Sequence, residues 1–238
     1  MHRPNIAILQ LLLALCCAVN ITAQDSSSSP PKQPLRRSTE AAKAAEAEGQ
    51  DFLFQKHDVK SAIESFKKTT QLDPWYAHGH FMLGVAYMQA QNWDHAQWAF
   101  EAASKVDPDD PQAWLGIGSA LNEQKSYVEA QKALTHSLDL KPESAEAHYE
   151  LARSLWGLQK LEPAETEANR AIELNKDYVS PHVLMGNIYL DQSDPDDAIA
   201  EFREALRLEP QGPQANALKQ NIAEIQRALN QTSQTKKP

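Results

Sequence analysis

From about residue 40 onward, apolar residues fall three and four apart in short runs, as with Leu83 and Tyr87 or Ala96 and Phe100. Such spacing places them on one face of a helix and leaves the opposite face polar. The runs come in pairs, and the pairs repeat. Ala62, Ala96, Ala130, Ala164 and Ala198 stand 34 residues apart. Pro74, Pro108, Pro142 and Pro210 keep the same step, with Lys176 in the remaining place. So do Gly84, Gly118 and Gly186, with Ala152 between. A fixed period of this length predicts stacked helical hairpins, each too small to cover its own apolar stripe and each covered by its neighbours. Glycine in the first helix and alanine in the second are expected where the two cross, since close approach needs small side chains.

The punctuation agrees with that period. The prolines stop the second helices, and Asp110 before Pro111, Ser180 before Pro181 and Asp194 before Pro195 are expected to cap the helices that follow. The acid pairs Asp109-Asp110 and Asp196-Asp197 lie at helix starts, where a carboxylate favours the positive end of the helix dipole. The first helix is expected to begin at Ser38 or Thr39. Gly212-Pro213 opens a last amphipathic segment carrying Ala217, Leu218, Ile222, Ile225 and Leu229, read as a helix that caps the stack.

Leu83, Gly84, Tyr87, Ala96, Phe100, Ala103 and Pro108 form one complete unit, and Met185, Gly186, Tyr189, Ala198, Phe202, Ala205 and Pro210 form another. Trp114, Gly118, Ala130 and Pro142 mark a third, and Leu151, Ala152, Leu155, Ala164, Ala168 and Ala171 a fourth. The earliest unit keeps Ala62, Phe66 and Pro74 but has its glycine one place early, at Gly49. This pattern resembles the tetratricopeptide repeat family. The resemblance implies an all-α, right-handed superhelical solenoid of five helical hairpins plus a C-terminal capping helix. The expected repeats lie near 43–76, 77–110, 111–144, 145–178 and 179–212, with the cap helix at 213–230, so that 39–230 forms one elongated array and 231–238 a disordered tail.

Ahead of the array, Met1 to Ala23 has a basic start at Arg3, an apolar run from Ile6 to Val19 and small residues at Thr22-Ala23. This is the pattern of a secretory signal peptide, short for a membrane span. Removing it would remove Cys16 and Cys17, the chain's two cysteines. The alternatives are a retained anchor and lipidation at Cys16 or Cys17, either of which would make the protein a membrane-held assembly factor of envelope or pilus biogenesis. Residues 24–38, rich in Ser and Pro, read as a disordered linker. The expected location is therefore exported, periplasmic or secreted.

Acidic residues outnumber basic ones by 32 to 23, for a formal charge of −9. An acidic chain with no basic stripe is poorly suited to phosphate backbones, so no nucleic-acid partner is expected.

Numbering each unit from its first residue (77 in the second), places two, five, nine and twelve of the first helix share a stripe about 110° from the core-facing places. The family resemblance implies that this stripe lines a concave groove for a peptide or helix of a partner protein. Its expected members are Phe81, Val85, Met88, Leu115, Asn122, Tyr149, Arg153, Trp156, Asn187 and Leu190. Among these, Phe81, Met88, Tyr149 and Trp156 would serve as anchors, with Asn122, Arg153 and Asn187 orienting the ligand. Relatives that clamp a terminal carboxylate use lysine and asparagine on this stripe. Here place five reads Ala47, Phe81, Leu115, Tyr149 and Val183, so that activity is not expected.

No cofactor, metal or catalytic group is expected. His80, His148 and His182 share place four, with Trp114 in the same slot, but equivalent places in stacked helices lie too far apart for one metal shell.

Overall fold

The computed structural model describes residues 39–235. The expected leader, both cysteines and the expected linker to residue 38 lie outside the described residues. The described chain is helical, in one compact unit. Helix α1 (Glu40–Gln50) runs into a single π-helical turn (Asp51–Gln55) and pairs with α2 (Val59–Leu72). Four further hairpins follow: α3 (Ala77–Gln89) with α4 (Trp93–Val106), α5 (Pro111–Glu123) with α6 (Tyr127–Leu140), α7 (Ala145–Gly157) with α8 (Leu161–Leu174), and α9 (Val179–Asp191) with α10 (Pro195–Leu208). Helix α11 (Ala215–Thr235) packs against α10 through Leu218 and Ile222. It extends five residues past the expected end at residue 230.

Each hairpin turns on one residue in the left-handed region: His57, Gln91, Lys125, Gln159 and Ser193, with φ between 52° and 67°. These positions also repeat every 34 residues. The residue after each donates its N–H back across the turn, as Asn92 does to Tyr87 at 2.9 Å and Ser126 to Leu121 at 2.9 Å, which satisfies the end of the first helix.

Capping is partly as expected. Thr39 Oγ1 accepts from Ala42 N at 3.1 Å and Asp110 Oδ1 from Gln112 N at 2.9 Å. Two expectations are corrected. The helix at Ser180 already begins at Val179 with Tyr178 at the cap position, and Asp194 occupies its cap position without a side-chain cap bond.

The expected glycine–alanine crossing is also corrected. A Cβ placed on Gly84, Gly118 or Gly186 would fall 2.3–2.6 Å from Phe100, Leu134 or Phe202 respectively, so each glycine makes room for the bulky residue sixteen positions later. In the fourth hairpin both members change together: Ala152 and Ala168 take those places, and both are fully buried. The alanines Ala62, Ala96, Ala130, Ala164 and Ala198 are fully buried as well.

In the first hairpin the equivalent pair, Gly49 and Phe66, is seventeen residues apart rather than sixteen. The π turn at Asp51–Gln55 absorbs the extra residue. Asp58 N reaches back six residues to Phe52 O at 2.8 Å, where the other hairpins reach back five. The displaced glycine is thus a one-residue insertion confined to a single turn.

Place four serves the loops. His80 Nε2 lies 3.0 Å from Pro74 O, Trp114 Nε1 donates to Pro108 O at 2.9 Å and His148 Nε2 lies 3.0 Å from Pro142 O. An aromatic ring N–H therefore ties α3, α5 and α7 each to the carbonyl six residues before it. His148 and His182 also face Glu167 and Glu201, at 2.6 and 2.7 Å. Among the described residues no three metal-ligating side chains converge.

Successive first helices touch one another (α1 with α3, α3 with α5, α5 with α7, α7 with α9), whereas no comparable contact joins successive second helices. Rows spaced closely on one side and widely on the other must curve, so the first helices form the inner wall of the superhelix.

Candidate functional site

The inner wall is built from places five, nine and twelve of the first helices. Phe81, Val85, Met88, Leu115, Tyr149 and Trp156 are half-buried and rest on the core beneath them; Asn187 is half-buried and Leu190 is exposed. Phe81 lies 5.5 Å from the Phe100 ring, and Tyr149 meets Tyr178 edge-on at 5.3 Å. Burial raises the pKa of Tyr149 and Tyr178 above the ordinary phenol value, which keeps both rings neutral. The Trp156 indole N–H donates to Asp191 Oδ2 at 2.7 Å, linking α7 to α9.

Two of the expected orienting residues are otherwise engaged. Asn122 is only 3% exposed. Its Nδ2 donates to the Glu150 carbonyl at 2.9 Å and to Glu150 Oε2 at 2.8 Å, while Oδ1 accepts from Ser154 Oγ at 2.7 Å. It fastens α5 to α7 and presents nothing to a ligand.

Arg153 is held by two carboxylates: Nη1 bonds both oxygens of Glu150, at 3.1 and 2.9 Å, and Nη2 bonds Glu123 Oε1 at 2.8 Å. Its guanidinium also lies 5.9 Å from the Tyr149 ring. Burial pulls the pKa of Arg153 down, but the charges of Glu150 and Glu123 outweigh it and hold the group above its ordinary value. For Glu150 burial is the larger effect and lifts the carboxyl above its ordinary range, against the pull of Arg153 and the Asn122 bond. One cation is thus shared by two acids, and no positive charge is left over for an incoming carboxylate.

The first hairpin holds a residue that pattern reading misplaces. Upstream of the π turn the register is shifted by one, so place five is Glu46 rather than Ala47. The contacts show the equivalence. Glu46 Oε2 accepts from the Tyr76 hydroxyl at 2.6 Å and Oε1 lies 3.1 Å from His78 Nε2, as Tyr149 meets Tyr178 and Ser180 in the fourth hairpin. The early glycine at 49 was the available signal. Within the turn Phe54, 50% exposed, takes place twelve and extends the stripe of Met88, Trp156 and Leu190.

A second concavity lies on the outer side, between α2 and α4. It is a cleft of about 610 Å³ bordered by Lys67, Tyr87, Asp94, His95 and Trp98. Trp98 is 56% exposed. Nothing in the repeat pattern pointed to it.

Tetratricopeptide repeat models match residues 81–134, 121–188 and 180–211. Protein bimA of Emericella nidulans is 28% identical over 99 residues, covering 42% of this chain and 12% of that protein. The chain spans between 7% and 25% of the lengths of the curated relatives it matches. Among solved structures, pilF of Pseudomonas aeruginosa superposes with a TM-score of 0.65 at 20% identity, covering 81% of this chain and 92% of that one. YrrB, described as a tetratricopeptide protein with an unusual peptide-binding site, superposes with a TM-score of 0.55 at 17% identity, covering 77% and 99%. These likenesses concern the fold. The three family matches together run from residue 81 to residue 211, more than half of the 238 residues, and the chain belongs to the tetratricopeptide repeat family.

Proposed function

We propose that this protein is a non-catalytic scaffold whose inner wall holds a peptide or helix of a partner protein, and that it works after export from the cytoplasm. The observation that carries the reading is the band of half-buried and exposed apolar side chains along the first helices: Phe54, Phe81, Val85, Met88, Leu115, Trp156 and Leu190. A groove of this make-up suits the apolar face of a segment from another chain. The peptide-binding site described for the fold neighbour YrrB is in keeping with it. The polar groups of the wall, Asn122, Glu150, Arg153 and Glu123, are spent on joining helices, which suits a scaffold better than a reaction centre.

Export rests on the leader pattern of Met1 to Ala23, and the membrane-held form is the variant in which that leader or a lipidated cysteine stays attached. The mass of the mature amino terminus, taken from soluble and detergent-extracted fractions, separates the two. For the groove, a photoreactive residue is placed at Met88 or Leu190 on the inner wall and, for comparison, at Val128 or Trp98 on the second helices. Adducts from the inner positions alone support the proposal. Adducts from Trp98 alone would move the binding face to the outer cleft and overturn it.

A further inference from the structure

We propose that the inner wall formed by α5, α7 and α9 takes a cationic amphipathic segment, an apolar face flanked by lysine or arginine, rather than an acidic peptide or a free C-terminus. The proposal deepens the groove reading and rests on it. From α3 to α9 the first helices carry four acids, Glu123, Glu146, Glu150 and Asp191, and a single base, Arg153. That base is already shared between Glu150 and Glu123. The remaining lysines and arginines of these hairpins sit on the second helices and in the turns and loops: Lys105 on α4, Lys132 on α6, Arg170 on α8, and Arg203 and Arg207 on α10 are examples.

All but one of these cations thus stand away from the inner wall, which keeps a net negative charge. The second helices α4, α6, α8 and α10 are acidic as well, with twelve acids to five bases, so it is the apolar stripe bordered by carboxylates that sets the inner wall apart. Glu146 and Asp191 are exposed, and Asp191 already anchors the Trp156 indole. An acidic wall with apolar flanks attracts and orients a positive segment, and a concave wall concentrates that field. The half-buried Trp156 ring adds a face over which a lysine or arginine can sit.

The test uses the full chain and three synthetic amphipathic helices that share one leucine face, with lysine, glutamine or glutamate on the other. Binding is followed by fluorescence anisotropy. The lysine helix is expected to bind at least about tenfold tighter than the glutamate helix, and to weaken several-fold as salt rises from roughly 50 to 300 mM. Glu146→Gln with Asp191→Asn should weaken the lysine helix about fivefold and leave the glutamine helix unchanged. Glu129→Gln with Glu162→Gln removes two exposed acids from the second helices α6 and α8, changes net charge equally, and should have little effect.

Equal weakening by the two double variants would reduce the effect to net charge and overturn the proposal. Equal or tighter binding of the glutamate helix would overturn the charge inference while leaving the groove standing. Failure of all three helices, with no adducts from Met88 or Leu190, would overturn the groove itself.

Discussion

Gly84→Ala asks whether the small residue of each first helix is there for the ring opposite it. An ideal Cβ at Gly84 falls 2.6 Å from Cδ1 and Cε1 of Phe100 and 2.9 Å from Cζ, where carbon pairs prefer about 3.5–4.0 Å. The ring has nowhere to withdraw. It is 2% exposed, Phe81 packs on it at 5.5 Å, and Gly116 of the next hairpin approaches it closely, with a built Cβ 2.6 Å from Cδ1.

Two effects oppose each other. Alanine in a helix interior is favoured over glycine by about 1 kcal/mol, and overpacking a filled core costs about 1–3 kcal/mol. With the ring confined between two helices the cost lies in the upper part of that range, so the net loss is about 1–2 kcal/mol. Phe100→Ala alone should cost about 3–5 kcal/mol. The double variant reproduces the Ala152–Ala168 pairing of the fourth hairpin and should be more stable than the sum of the two losses by at least ~1 kcal/mol.

Urea unfolding followed by far-UV circular dichroism on all four proteins measures the coupling. If Gly84→Ala stabilises by its full propensity gain, or the cycle closes additively within about 0.5 kcal/mol, the packing argument is wrong.

Deleting Gln55 should let the π turn relax to an α-helix and lower the melting temperature by less than about 5 °C, whereas deleting Gln89 from the regular α3 breaks the register and should lower it by more than about 10 °C; similar drops for both would refute the insertion reading. Asn122→Ala leaves the Glu150 carboxylate and the Ser154 hydroxyl short of a buried partner and should cost about 2–3 kcal/mol in chemical unfolding; a neutral change would show that α5 and α7 are held by packing alone. Lys125→Gly relieves a left-handed non-glycine residue at a hairpin turn and should stabilise by about 0.5–1 kcal/mol after glycine's unfolded-state entropy is subtracted. The same change at Lys132 inside α6 should cost about 1 kcal/mol, and a loss of similar size at both sites would remove the turn argument.

The 34-residue period alone determined the number of hairpins, their order and most of their core, because in a stacked array nearly every contact lies within a hairpin or between neighbours. Gly84, Ala96, Pro108 and their equivalents are local requirements of volume and chain termination, and such requirements are written residue by residue. Which apolar side chains lie along the inner wall was readable for the same reason: position on a helix decides which face a side chain occupies.

Tertiary structure decided the polar half of the wall. Whether Asn122 and Arg153 reach outward or turn inward depends on hydrogen-bond partners about thirty positions away, Glu150, Ser154 and Glu123, brought within bonding distance only by the stack. A buried amide or guanidinium must find partners, so the stack pulled both groups into the joints between repeats. The π turn likewise moved place five from Ala47 to Glu46, since one inserted residue rotates everything upstream by about 100° while leaving the period downstream untouched.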